Sequence, residues 1–203
     1  MNIIPLICLA LANVTMESPD GSMYAVIEYY PGTVLWTEHF TLYTRTGDRI
    51  YRINDHPAHT YFICNTGNLY AMNERDLWFF DRNGKEIWHR SLHAVNTSGF
   101  SADNTVFFLS EKSGIRVYDN DGNVEHDLPP GRLFSSVNKG DLIAVVSSDT
   151  AYYYEHGELV HTIPLSSPYV WQIAFSDDHT TIEIEYVDHL EIIDCATGTR
   201  RIP

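Results

Sequence analysis

The sequence predicts an all-β chain, a five-bladed β-propeller of four-stranded antiparallel blades. Two observations carry this. A glycine-centred turn between apolar runs recurs five times, and a second polar turn lies upstream of each copy. A four-strand unit repeated at a period of roughly 20–50 residues is the signature of a propeller. A third observation agrees with them. Aromatic residues, which suit pleated and half-buried strands, make up 13% of the chain, and no run of useful length has helical periodicity.

The outer half of each unit is a hairpin. In "LWFFDRNGKEIWHRSL", residues 77–92, the apolar run breaks at Asp-Arg-Asn-Gly and then resumes. The same shape appears in "FTLYTRTGDRIYRI", "IRVYDNDGNVEHDL", "AYYYEHGELVHTI" and "LEIIDCATGTRRI". The glycines are Gly47, Gly84, Gly122, Gly157 and Gly198, spaced by 37, 38, 35 and 41 residues. Such turns need a positive φ, which glycine adopts at little steric cost. The inner half of each unit is "MESPDGSMYAVIEY", "ICNTGNLYAMNE", "GFSADNTVFFLSE", "SSVNKGDLIAVVSS" or "AFSDDHTTIEIEY". Each unit therefore has strands A to D, counted from the inside outward, with tight A–B and C–D turns. The approximate repeats are 14–53, 54–92, 93–128, 129–164 and 165–203, within one domain spanning 1–203. Ile4-Pro5-Leu6 near the start matches Ile163-Pro164-Leu165 in the last D-to-A passage. Residues 2–6 are accordingly expected to pair with the fifth unit and close the ring, removing its exposed edges.

Composition narrows the partners. An apolar fraction of 44% is enough to fill a core. The net charge of −14 is repelled by phosphate backbones, which disfavours nucleic acid and favours a basic partner or plain solubility. No run of 18 apolar residues is present, so no membrane-spanning helix is expected. Cys8, Cys64 and Cys195 are odd in number and widely spaced. They read as buried thiols in a reducing, cytoplasmic setting rather than as a zinc site or disulfide framework. The alternative, export, would rest on "IIPLICLALA", which no basic residue precedes.

The turns also carry a resemblance. "SPDGSMYAV", followed by a strand and a D-x-x-G turn, resembles the repeats of WD-repeat-like and TolB-type propellers. "LWFFDRNGKEIW" is similar to the quinoprotein-type repeat in its D-x-x-G-K-x-x-W shape. The resemblance covers nearly the whole chain and implies the propeller fold. The Trp-Asp dipeptide and Gly-His pair of true WD repeats are absent, no quinone-binding residue carries over, and most propellers of those families have more than five blades. Five-bladed rings in general include lectins and sugar-cleaving enzymes, so fold alone does not fix function.

Function is expected at the face that carries the D–A and B–C connections and at the mouth of the central channel, since variable loops on a rigid frame are where binding resides. The candidate ligand-binding residues there are Tyr30 and Trp36 in the long first B–C loop, His59 in a D–A link, and Phe134, Tyr169 and Trp171 around the starts of A strands. Phe134 and Trp171 read more readily as rings capping the core between blades, whereas Trp36 reads equally well either way. No H-E-x-x-H or Cys/His spacing marks a metal site, and no P-loop, G-x-S-x-G or G-x-G-x-x-G marks a cofactor or nucleophile. Glycoside cleavage needs paired carboxylates. Apart from Glu17 the A strands contain no acid, and most acids fall in the turns. No catalytic residue, metal or cofactor is assigned. The reading is a monomeric, non-enzymatic module that binds a protein or peptide, a basic one by charge. A carbohydrate or small ligand is the alternative, and a hydrolase is less favoured. A five-fold lectin would repeat its binding residues, yet the D–A links carry His59, Asn96, Arg132 and Ser167.

Overall fold

The computed structural model describes residues 13–29, 37–101 and 104–203. Among them, twenty strands form five antiparallel sheets, each a four-stranded meander. Blade 1 is β1 (Asn13–Glu17), β2 (Met23–Tyr29), β3 (Thr37–Thr44) and β4 (Arg49–His56). Blade 2 is β5 (Thr60–Ile63), β6 (Leu69–Met72), β7 (Asp76–Phe80) and β8 (Glu86–Ser91). Blade 3 is β9 (Val95–Phe100), β10 (Val106–Glu111), β11 (Gly114–Asp119) and β12 (Val124–Leu128). Blade 4 is β13 (Leu133–Val137), β14 (Leu142–Ser147), β15 (Thr150–Glu155) and β16 (Glu158–Pro164), with one 3₁₀ turn at Asn138–Gly140. Blade 5 is β17 (Val170–Phe175), β18 (Thr181–Tyr186), β19 (Leu190–Asp194) and the short β20 (Arg200–Arg201). Blades 1 and 2 belong to one compact unit, and blades 3 to 5 to a second. The expected closing strand at residues 2–6 lies outside the described residues.

The core is built by sheets stacking face to face, and period two decides which residue serves which interface. Blade 4 shows this most clearly. Along β14, Ile143 and Val145 join Val106, Ile115 and Val117 of blade 3, while Ala144 and Val146 join Ile173, Ile182 and Ile184 of blade 5. Tyr154 and Tyr153 on β15 divide in the same way. In the first unit, Ile27, Phe40 and Leu42 of blade 1 pack with Tyr61, Leu69, Trp78 and Phe80 of blade 2. Alternate residues of blade 2, Tyr70, Phe79 and Trp88, cluster on the opposite face, with Tyr70 and Phe79 4.9 Å apart.

The turns are held by short polar side chains. Asp81 Oδ1 accepts hydrogen bonds from the N–H groups of Asn83 and Lys85, both at 2.9 Å, and Asp119 Oδ1 accepts from Asp121 and Asn123, both at 2.8 Å. The A–B turns of blades 1 and 5 share a second device. Ser18 donates to Asp20 at 2.7 Å and accepts from the Met23 N–H at 3.0 Å; Ser176 donates to Asp178 at 2.8 Å and accepts from the Thr181 N–H at 3.1 Å. The Ser176 hydroxyl, helped by Thr180, holds the Asp178 carboxyl down at about 2.

A further regularity runs through the C–D hairpins. The first four carry a one-residue bulge at the same place, after Leu42, Phe79, Val117 and Tyr153. Opposite those residues sit Tyr51, Trp88, His126 and His161, each four positions after the turn glycine. Three of these rings lie over the turn glycine of the following blade. A Cβ on Gly84 would meet the Tyr51 ring at 2.8 Å, one on Gly157 the His126 ring at 2.7 Å, and one on Gly198 the His161 ring at 3.1 Å. The glycine thus serves two ends: it takes the positive φ and leaves room for the neighbour's ring.

Gly157→Ala, at φ +80° beneath His126, is expected to cost about 2 kcal/mol in chemical denaturation. Gly99→Ala, whose nearest neighbour is the Phe108 ring at 3.5 Å, should stay within about 0.5 kcal/mol of wild type. Because the Asp178 carboxyl titrates lower in the folded than in the unfolded chain, its contribution to stability is present above about pH 4 and fades as the pH falls towards 2. Carboxyl NMR titration of Ser176→Ala should show Asp178 climbing back towards 3.8.

Candidate binding site

The structure gathers the strongest candidate at one end of blade 5. There the link from β16 to β17 meets the turn between β18 and β19. Val170 pairs with Tyr186 and Gln172 with Glu185, so the strand carries one extra residue between the two pairs. This bulge sets the pattern of the strand. Val170 and Ile173 stay in the core, opposite Tyr186 and Ile184, while Trp171 and Gln172 both face outward. Re-aiming a side chain is a characteristic effect of such bulges.

The result is an apolar patch in water. Tyr169, Trp171 and Val187 are 74%, 73% and 80% exposed, more than any other large hydrophobic side chain among the described residues. Several other exposed apolar residues lie on outer D strands, Ile50, Ile87 and Val124 singly and Leu159 beside Val160. Tyr169 and Trp171 flank the first residue of β17 and Val187 follows the last residue of β18, so all three lie at the same end of this strand pair.

The core-facing side of the same end of blade 5 carries a polar network. Glu191 is completely buried. Its carboxylate accepts from the Tyr186 hydroxyl at 3.0 Å and from Arg200 Nη1 at 3.3 Å. Arg200 also donates to the Pro164 carbonyl at 3.1 Å, tying the D strand to the link. His189 stacks flat on Tyr186, with centroids 4.4 Å apart and planes 4° apart. Its Nε2 is 3.0 Å from Ser166 Oγ and its Nδ1 2.7 Å from Asp188 Oδ1. Burial raises the Tyr186 phenol, and the hydrogen bond to His189 lowers the Asp188 carboxyl. The order Ser–His–Asp is that of a hydrolytic triad, but such a triad holds its carboxylate buried to fix the tautomer. The Asp188 side chain is 82% exposed. The ring braces the turn between two blade connections.

The other candidates separate. Phe134 stacks on Phe108 at 4.1 Å, capping the packing of blades 3 and 4 as the sequence reading favoured. Trp171 departs from that reading, because the bulge turns it out. His59 is half-buried on the entry to blade 2 and makes a local contact with Thr60 at 3.2 Å. Tyr30 and Trp36 lie outside the described residues. Among the described residues no three His, Cys, Asp or Glu side chains gather as a metal site. His56 is a core residue, edge-on to Trp78 at 4.5 Å, and burial lowers its imidazole to about 4. Sequence reasoning missed Val187 and Glu191. It also missed Glu111 of blade 3, a buried acid whose carboxylate accepts from the His93 N–H at 2.6 Å.

Comparison with known proteins bears on the fold. No family model and no curated protein matches the chain. Solved structures do. Hsv2 of Kluyveromyces lactis, with a Gly-Ser linker in place of loop 6CD, superposes with a TM-score of 0.63 at 15% identity, over 94% of this chain and 66% of the other. The same protein with its complete loop 6CD gives 0.61 at 15% identity, over 93% and 61%. A chain of the Mitotic Checkpoint Complex gives 0.60 at 13% identity, over 93% and 62%. The fold is that of a β-propeller, built of four-stranded antiparallel blades. The chain spans just under two thirds of the length of the propellers it matches.

Removing Arg200 would leave the Glu191 carboxylate buried and short of its cation. Arg200→Met is expected to cost about 1–2 kcal/mol, discounted from a fully buried pair because Arg200 is partly exposed. Adding Glu191→Gln should restore part of that loss in a double-mutant cycle measured by denaturation.

Proposed function

We propose that the protein is a non-enzymatic interaction module that binds a protein or peptide on the connection-bearing end of blade 5. The observation that carries this is that the three most exposed large hydrophobic residues among those described, two of them aromatic, all lie at this end of blade 5. Rigid aromatic anchors dominate binding energy at protein interfaces. The fold supports the same reading, since one of the similar propellers is a chain of the multi-protein Mitotic Checkpoint Complex. The net charge of −14 favours a basic partner. Against hydrolysis, Glu191 is engaged by Tyr186 and Arg200, and Glu111 by the His93 N–H. A carbohydrate reading draws on one feature: Gln172 and Glu185, both exposed and paired across the strands, offer polar groups beside the Trp171 ring.

The test is affinity capture from native lysate with wild type and a Tyr169→Ser/Trp171→Ser double variant as baits. The variant's thermal midpoint should match wild type, because both side chains are exposed. A partner retained by wild type should fall at least about tenfold on the variant, and hydrogen exchange of the complex should protect residues 169–172. Equal capture by both baits would move the binding surface elsewhere.

A further inference from the structure

We infer that His56 is an acid-released latch on the link 57–59, which joins blade 1 to blade 2, and that Asp55 is the hinge behind it. The device is independent of the patch on blade 5. Strict alternation along β4, where Tyr51 and Ile53 are buried, would bury Asp55 and expose His56. The reverse is found: Asp55 is exposed and His56 is buried. Asp55 takes φ +51°, a left-handed conformation that aspartate tolerates better than most residues. Past this reversal the imidazole enters the core, edge-on to Trp78 at 4.5 Å and to Phe80 at 5.3 Å.

The link is tied to the protonation state of this ring. The Ala58 N–H donates to His56 Nδ1 at 3.2 Å, so Nδ1 carries a lone pair and the imidazole is neutral. A proton on Nδ1 would set a donor against a donor and place a charge in an apolar site. The other groups that hold the link do not titrate in acid. The Ala58 carbonyl accepts from the Thr37 hydroxyl at 2.8 Å, the His59 N–H donates to the Met72 carbonyl at 3.1 Å, and Asn73 donates to the Pro57 carbonyl at 3.2 Å. Tyr61 and Tyr29 donate to the Ala58 and His59 carbonyls, and burial raises both phenols, which stay neutral. The ionisable groups on the neighbouring strands are Glu38 beside His39 at 3.8 Å, and Asp76 beside His89 at 3.7 Å, the His89 ring stacking on Trp78. Burial, rather than these charges or those of Asp55 and His59, lowers the His56 imidazole from 6.5 to about 4. The latch therefore holds fully above about pH 6.5, and its contribution is lost as the pH falls through about 4.

The experiment follows amide hydrogen exchange of the full chain by NMR between about pH 7 and about pH 4.5, corrected for the intrinsic exchange rate. In the wild type, protection of the Ala58 amide should fall at least about tenfold, while that of the core-strand amides of Ala71 and Phe79 changes by less than about twofold. His56→Asn keeps an oxygen acceptor near the place of Nδ1 but takes up no proton. Its Ala58 protection should change by less than about twofold over the same range. The wild-type Ala58 amide shift should also follow the titration of the His56 ring, a readout that does not depend on the variant folding. An equal fall in wild type and His56→Asn would overturn the latch. So would Ala58 protection that is unchanged at the lower pH, or that falls only together with Ala71 and Phe79. Nitrogen NMR showing a proton on His56 Nδ1 at neutral pH would overturn it as well.

Discussion

A sheet that is apolar on both faces cannot stand in water, and the stacked blades of this protein follow from that constraint. The two sets of alternate residues in β14 serve different cores, so blade 4 depends on blades 3 and 5 at once. The ring that sits over the next blade's turn glycine is the same dependence at the outer edge. Stability of this kind is a sum over neighbours. A substitution at one interface is felt by two blades rather than by the whole chain.

The candidate site depends on the same frame. Blade 5 has a packed face against blade 4, and the bulge in β17 keeps Val170 and Ile173 in that face while placing Trp171 outside it. Without the extra residue, strict alternation would bring Gln172 towards the core. The polar network on the core side is equally constrained. Glu191 occupies a position in phase with buried Ile193, and Tyr186, Arg200 and the His189 ring 3.7 Å away together make a buried carboxylate tolerable there. The exposed side chains of this corner are therefore carried on a strand pair whose core side is fixed by hydrogen bonds.

Most of the architecture was legible in the sequence because turns are encoded locally. Gly84 after Asp81, or Asp178 after Ser176, announces a reversal within a few residues. The five sheets and their order followed from counting such reversals. The site was only partly legible. Tyr169 and Trp171 drew notice as rings near a link, but the exposure of Trp171 depends on a one-residue register shift that no periodicity in "YVWQIAF" reveals. Val187 follows the apolar run of "TIEIEY" with no local signal of its exposure. Glu191 left a usable trace, a charge in an inward phase of "LEIID", which could have been followed to the need for a partner. Arg200 could not have been named as that partner, because nothing local links residues on neighbouring strands.

The interval from turn glycine to ring is four residues in each of the first four blades, while the interval between successive glycines drifts between 35 and 41. Insertions and deletions have thus been accommodated elsewhere in the repeat. A single residue gained or lost within that four-residue interval would turn the ring to the opposite face of its strand and strip the next blade's hairpin of its cover. The interval acts as a phase marker. It marks one stretch of the repeat that keeps its length while the rest of the unit varies.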